Sequence, residues 1–360
     1  MKDKMTKNKG KLEVMNKIKE DNLNLPSSIT SKKKVLFISG DLLDFFGIDY
    51  NILVKSFDVK SLLHREMNIL NFLLNIFKGV LWADVTFSWF ADYHAFWAVR
   101  LSKIFRKKSI VVVGGYDVVV VPEIGYGALL NKKVARRVRY ILENADRILP
   151  FSKNSEKEVL KYLTQKEKVK VIYLGVDYHK FVSAGEKENL VITVGYVTHS
   201  NLKRKGLETF VKSAKYLPDI EFVLIGPHID DSIHYLKSIA TPNVKFVGFV
   251  SDDELIKYYQ RAKVYVQVSA HEGFGVAMAE AMSCECVPVV TDKGAIPEVV
   301  GDAGFYVPYG DPKATAEAIK EALKSDKGKE ARERIKNMFP IEKREDELLK
   351  VILEVCSNER

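Results

Sequence analysis

The chain has 360 residues, 47% of them hydrophobic and 29% charged, with a formal net charge of +9. That is the balance of a globular protein of two ordinary domains, with no collagen, coiled-coil or solenoid repeat. No apolar run reaches the roughly 18 residues of a membrane span, and the basic N-terminus lacks an apolar segment behind it, so no signal peptide is expected. The three cysteines, Cys284, Cys286 and Cys356, make no disulfide framework and point to a reducing cytoplasm. Cys284-x-Cys286 alone falls short of the four ligands of a structural zinc site, so no metal is expected.

Residues 1–30 read as a basic tail and linker. Residues 1–34 hold ten lysines against four acids, six of the nine net positive charges. No recognition motif accompanies them, so nucleic acid is not expected as a partner. The tail reads either as solvated or as a contact for anionic lipid headgroups, which allows a membrane-associated cytoplasmic protein. Three glutamines (Gln165, Gln260, Gln267) beside abundant Lys and Glu resemble a thermophile's composition.

The folded body opens with Lys34–Gly40, a buried strand that ends at Gly40, a candidate point of close ligand approach or simply a turn. A second strand is expected near Tyr50–Ser56 after a short connection, which would make this domain a trimmed one. Residues 59–81 read as one helix with Leu62, Met67, Leu70, Leu73, Leu74 and Phe77 at helical spacing, packed on the sheet or facing lipid. Strands follow at Asp84–Trp89 and Ser109–Val113, with a helix between them over Ala91–Phe105. Asp117, after Gly114-Gly115-Tyr116, is either a cleft contact or a turn cap. A helix near Leu129–Asn144, the strand Asp146–Ser152, the Ser152-capped helix Glu156–Leu163 and a last strand Val169–Asp177 complete residues 31–185. This alternation predicts a doubly wound parallel sheet.

Ser183–Asn189 is a polar linker, and the pattern restarts at Leu190–Gly195 for a second domain over residues 186–340. Lys203-Arg204-Lys205-Gly206 stands at a strand–helix turn. It is either a cluster for a phosphate or a solvated surface. Strands are expected at Glu221–Gly226 and Asn243–Val250, and Asp252 and Asp253 read as caps of a following helix. The strand Val264–Val268 then runs through Ala270–Gly275 into the helix Val276–Met282. Such a turn offers helix-start amides to a phosphate, with Gly273 and Gly275 removing side chains from its path. Glu280 stands among apolar neighbours in that helix. A buried carboxylate needs a partner, either a sugar diol or an internal Lys or Arg. Glu272, at the loop, can face the same ligand. Residues 341–360 read as a final amphipathic helix.

Glu272, seven residues and Glu280, followed by Pro288-Val-Val290, Gly294–Val300, Gly304 and Asp311, resemble the GT4-type retaining glycosyltransferases of the GT-B fold. Gly175-Val-Asp177 with Phe181 resembles the segment before that family's linker. The resemblance implies two Rossmann-like domains facing across a cleft, with residues 341–360 crossing back to the first. It implies a nucleoside-diphosphate sugar bound by Arg204, Lys205, the Gly273-Phe274-Gly275-Val276 amides, Glu280 at the ribose and backbone near Val250 at the base. Lys205 and Glu272 are the implied catalytic residues. The partner is an acceptor hydroxyl on a glycan, a lipid-linked or a small molecule, and neither a cofactor nor a metal is implied. Three departures stand out. Cys286 replaces a glycine, Tyr196 replaces the usual Arg, and Gly114 or Gly115 stands where many relatives have a histidine. They leave open a non-catalytic sugar-nucleotide-binding partner, or a phosphorylase or epimerase on the same fold.

Overall fold

Two parallel sheets carry the chain. The computed structural model describes residues 32–42 and 44–357, so the basic tail of residues 1–30 lies outside the described residues. The first sheet holds β1 (Lys34–Ser39), β2 (Asp58–Leu63), β3 (Val85–Trp89), β4 (Lys108–Val113) and β5 (Arg147–Pro150), in the order β2-β1-β3-β4-β5. The second holds β6 (Glu188–Val194), β7 (Glu221–Ile225), β8 (Val244–Gly248), β9 (Ala262–Gln267), β10 (Val287–Val290) and β11 (Phe305–Tyr306), in the order β11-β10-β9-β6-β7-β8. Helices cover both faces of a parallel sheet, so its central strands must be apolar throughout. Val85–Trp89 is buried at every position, and Val35–Ser39 likewise. In each sheet the strand order reverses once, between β1 and β3 and between β6 and β9. Ligands of open α/β sheets bind at the carboxyl ends of the strands beside such reversals.

The helices of the first half are α1 (Asp44–Ser56), α2 (Ile69–Trp82), α3 (Tyr93–Ile104), α4 (Lys132–Asn144) and α5 (Lys153–Leu160). Those of the second are α6 (His199–Arg204), α7 (Leu207–Ser213), α8 (Ser232–Ile239), α9 (Asp252–Arg261), α10 (Val276–Ser283), α11 (Ile296–Val300), α12 (Pro312–Lys324) and α13 (Lys327–Met338), followed by α14 (Ile341–Ser357).

Three sequence expectations change here. Tyr50–Ser56 is not a strand but the end of α1, so β1 and β2 are joined by a full helix and this half is not trimmed. Phe46, Asp49 and Leu53 lie one turn apart on its buried face. Residues 59–81 are not one helix. They comprise β2, a short turn at His64–Glu66, and α2, which starts at Asn68, whose side chain accepts from the Asn71 amide. Within α2, Phe72, Ile76 and Val80 face the core, whereas Leu70, Leu74 and Phe77 are exposed. Val169–Asp177 is not a regular strand: it meets β5 at an isolated bridge, Ile148–Val169, and through the Ile172 amide, which donates to the Pro150 carbonyl at 3.0 Å.

From Lys33 onward the chain is one compact unit. One apolar cluster runs from Phe37 and Trp89 through Phe151 to Phe274 and Met278, and so joins the two sheets. The chain end reinforces the joint. Arg344 of α14, 3% exposed, grips Asp49 of α1 with two hydrogen bonds of 2.7 Å. It also donates to the carbonyls of Ile172 and Tyr173.

Candidate functional site

β9 ends beside the strand reversal of the second sheet, and the chain passes through Val268–Gly275 into α10. Gly275 caps α10 with φ +89°, a left-handed conformation that most side chains resist. The first amides of a helix have no carbonyl partner within it and carry its positive dipole end. Gly273 lies where the two halves touch: a Cβ there would stand 2.4 Å from the carbonyl oxygen of Gly114. Both positions require glycine on physical grounds.

Glu272 sits in this loop and is buried. Its Oε1 accepts from Ser269 Oγ at 3.1 Å and lies 3.2 Å from Lys205 Nζ and 3.5 Å from Arg204 Nη1. Burial pushes the Glu272 carboxyl up, but Lys205 and Arg204 outweigh it and hold the group below the usual carboxylate range. Lys205 extends past Gly195, at the end of β6. Arg204 is aimed by Asn201, which accepts its Nε at 3.0 Å, and lies over the Tyr126 ring of the first half. Gln267, 2% exposed at the end of β9, has an Nε2 with no hydrogen-bond partner. That donor would stand 3.3 Å from a Cβ at Gly275, close to the helix start.

Arg204, Lys205 and Glu272 border a cavity of about 730 Å³ between the carboxyl edges of both sheets, which Gln267 does not line. Arg204, Lys205, Glu272, Gly273, Phe274, Gly275 and Val276 line it from the second half, and Gly40 and Asp117 from the first. Phe274 turns its ring against Phe339. Gly40 makes room for the Arg65 side chain, whose Nε would lie 2.7 Å from a Cβ there. Asp117 is the turn cap rather than a free cleft group. Its carboxylate accepts from the amides of Ala91, Gly114 and Gly115. Glu280 and Val250 do not border this cavity. Glu280 lies one turn beyond Val276 and accepts from the Tyr259 hydroxyl at 3.2 Å. Val250 packs on the core. Lys203 is exposed.

The first half adds residues that the sequence did not single out. His64 and His94 stack in the cavity wall with ring centres 4.1 Å apart. His94 Nε2 meets the Trp89 carbonyl at 2.6 Å, and His64 Nδ1 meets the Tyr93 hydroxyl at 3.0 Å. Burial pushes His94 down to about 3 and also lowers His64, so both rings are neutral at neutral pH. Burial likewise pushes Tyr126 up to about 12. Tyr126 and Arg137 complete this wall. Among the described residues, one group has metal-ligand spacing, His199 with Asp230 and Asp231. It stands apart from the cavity, and Asp230 is already engaged by the amides of His199 and Ser232. Cys284 and Cys286 are buried, and Cys286 lies on the Tyr259 and Ala262 carbonyls as a packing residue.

Residues 177–338 match the family of glycosyl transferases group 1. The capsular polysaccharide biosynthesis glycosyltransferase CapM of Staphylococcus aureus is 30% identical over 66% of this chain and 61% of its own length. The O-antigen chain mannosyltransferase RfbU of Salmonella typhimurium is 29% identical over 44% of this chain and 45% of its own length. The chain thus spans between 45% and 61% of these curated relatives. Among solved structures, Anabaena Alr3699/HepE in complex with UDP and glucose superposes with a TM-score of 0.75 at 16% identity, over 89% of this chain and 100% of that one. Sucrose-phosphate synthase from Thermosynechococcus elongatus gives 0.72 at 17% identity, over 90% and 99%. The fold is GT-B: two parallel-sheet α/β halves facing across a cleft.

Proposed function

We propose that the chain, whose residues 177–338 match the family of glycosyl transferases group 1, is a retaining, metal-independent glycosyltransferase using a nucleoside-diphosphate sugar. The observation that carries this reading is the cluster of buried Glu272 with half-buried Lys205 and Arg204 beside the start of α10. Two cations against one carboxylate leave positive charge beside a helix N-terminus, which suits a diphosphate.

In the reaction, the bond between the anomeric carbon and the diphosphate oxygen breaks. The acceptor oxygen bonds to that carbon on the same face, and its proton passes to the departing diphosphate. Lys205 and Arg204 neutralise the charge that develops on this leaving group, the largest electrostatic demand of the step. These protein cations can meet it without a metal. Glu272 orients both cations and faces the sugar, and Glu280 receives the ribose hydroxyls beyond the first turn of α10. The acceptor enters from the His64–His94 wall, where the His64 ring, backed by buried His94, offers a hydrogen bond. Closure of the halves about the Gly114–Gly273 contact excludes water.

HepE was solved with UDP and with UDP-glucose, so a uridine nucleotide is the first donor to try. The test is calorimetric titration of the protein with UDP, GDP and ADP in EDTA. Binding of one nucleotide is the expected result. Binding without transfer to any acceptor would instead mark a non-catalytic sugar-nucleotide partner, and absence of binding would overturn the site.

A further inference from the structure

We propose that α2 and the end of α3 form a docking surface for an anionic lipid membrane. Helix α2 carries one polar stripe, Asn71, Asn75 and Lys78, and is apolar over the rest of its surface, of which only the Phe72–Ile76–Val80 side is covered. Ile69, Leu70, Leu74, Phe77 and Leu81 are 57%, 71%, 59%, 42% and 45% exposed. Residues 70, 74, 77 and 81 follow one helical stripe. Ile104, at the end of α3, is 63% exposed, and Phe105 beside it meets the Phe77 ring at 5.5 Å. Monomers rarely leave a continuous apolar surface of this kind uncovered without a partner for it.

The charge around the stripe selects the partner. Residues 67–82 contain no acid and one lysine, Lys78. Residues 93–108 contain no acid and five cations: Arg100, Lys103, Arg106, Lys107 and Lys108. Lys78, Arg100, Lys103 and Arg106 are exposed. An apolar helix face with exposed cations beside it matches the interface of an anionic bilayer, where the apolar side chains enter the acyl boundary and the cations meet headgroups. None of the described helices is long and apolar enough to cross a membrane, so contact would be peripheral. His64 and Arg65, in the turn just before α2, line the cavity, so the docked face adjoins its first-half wall.

The test uses the full chain with sedimenting vesicles of phosphatidylcholine, with and without phosphatidylglycerol, and no nucleotide, so its outcome is independent of the donor site. The wild type is expected to bind the anionic vesicles, less tightly as salt rises. The exposed pair Leu70→Gln and Leu74→Gln is expected to weaken binding at least tenfold with an unchanged melting midpoint. Leu353→Gln, exposed on α14, is expected to bind as wild type. Failure of the wild type to bind overturns the proposal. So does undiminished binding by the double variant, which would place the lipid contact on the lysines of residues 1–34. A dimer dispersed by the same substitutions, without vesicle binding, would assign the face to a second copy and overturn it as well.

Discussion

Removing the Lys205 ammonium isolates the charge that the proposed donor site depends on. Its Nζ lies 3.2 Å from Glu272 Oε1 and its side chain is 18% exposed, so it is partly shielded from solvent. On nucleotide binding the ammonium would form a charge-assisted hydrogen bond with the diphosphate, a contact of about 1.5–3 kcal/mol. Its loss corresponds to a nucleotide affinity lower by about tenfold to 150-fold. Lys205→Ala also takes away the stem that lies against Gly195, so Lys205→Met, which keeps most of that stem, separates charge from packing. Both variants are expected to lose similar affinity in calorimetric titration, and both to lose transfer rate. In both, Glu272 loses the largest influence holding its carboxyl down, and burial raises it. A dissociation constant within about threefold of wild type for both variants would refute the diphosphate role of Lys205.

Other outcomes follow from the same contacts. Glu280→Gln is expected to weaken binding of the nucleoside diphosphate about tenfold while leaving pyrophosphate binding unchanged; equal losses for both ligands would rule out a ribose contact. Arg344→Met leaves the buried Asp49 carboxylate and two carbonyls unpaired, and denaturant unfolding is expected to show a loss of about 3–5 kcal/mol. Adding Asp49→Asn should recover much of it, and a single-variant loss below about 1 kcal/mol would contradict the buried pair. His94, pushed down to about 3, stays neutral in the folded protein while the unfolded chain takes up a proton. Stability should therefore fall as the pH drops below about 6.5, by about 1.4 kcal/mol per unit until the pH nears that folded value. His94→Gln should flatten this part of the pH–stability curve, and an unchanged slope would refute the assignment. Glu272, held below its usual range, adds stability above the unfolded carboxylate value near 4.3, lost as the pH falls further.

Much of the frame is legible along the chain. β1, β4, β6 and β9 announce themselves because a parallel strand covered on both faces must be apolar at nearly every position. The loop Glu272–Gly275 and its helix are legible too, since a strand, two glycines and a run of helix formers occupy adjacent residues. β2 was missed because it is an edge strand with one buried position, Leu62, and so lacks that signature. α1 was missed because Asn51-Ile-Leu-Val54 has strand-like composition and because Asp49 interrupts its buried face. The partner that makes Asp49 tolerable, Arg344, arrives from α14, 295 residues later.

The same division holds in the site. Local residues by themselves determined the strand–glycine–helix turn that is proposed to hold the diphosphate, because backbone conformation and helix amides are set by neighbours in sequence. They left Glu280, Asp117 and the Lys203–Lys205 run each with two readings. Folding supplied the neighbours of each. Asp117 meets the Ala91 amide, Glu280 the Tyr259 hydroxyl, and Arg204 and Lys205 converge on Glu272, while Lys203 points to solvent. His64 and His94 stand thirty residues apart and share no motif, yet they stack in one wall because β2 and α3 reach the same edge of the sheet. In α2 the Asn71–Asn75–Lys78 stripe marks one outer face, but the rest is apolar and does not say which part of it is inside; packing against the sheet covered Phe72, Ile76 and Val80 and left Leu70 and Leu74 exposed. Spacing along a chain records what touches within a turn or two, and the partners of a buried charge or an uncovered apolar face come from elements that meet only when the chain has folded.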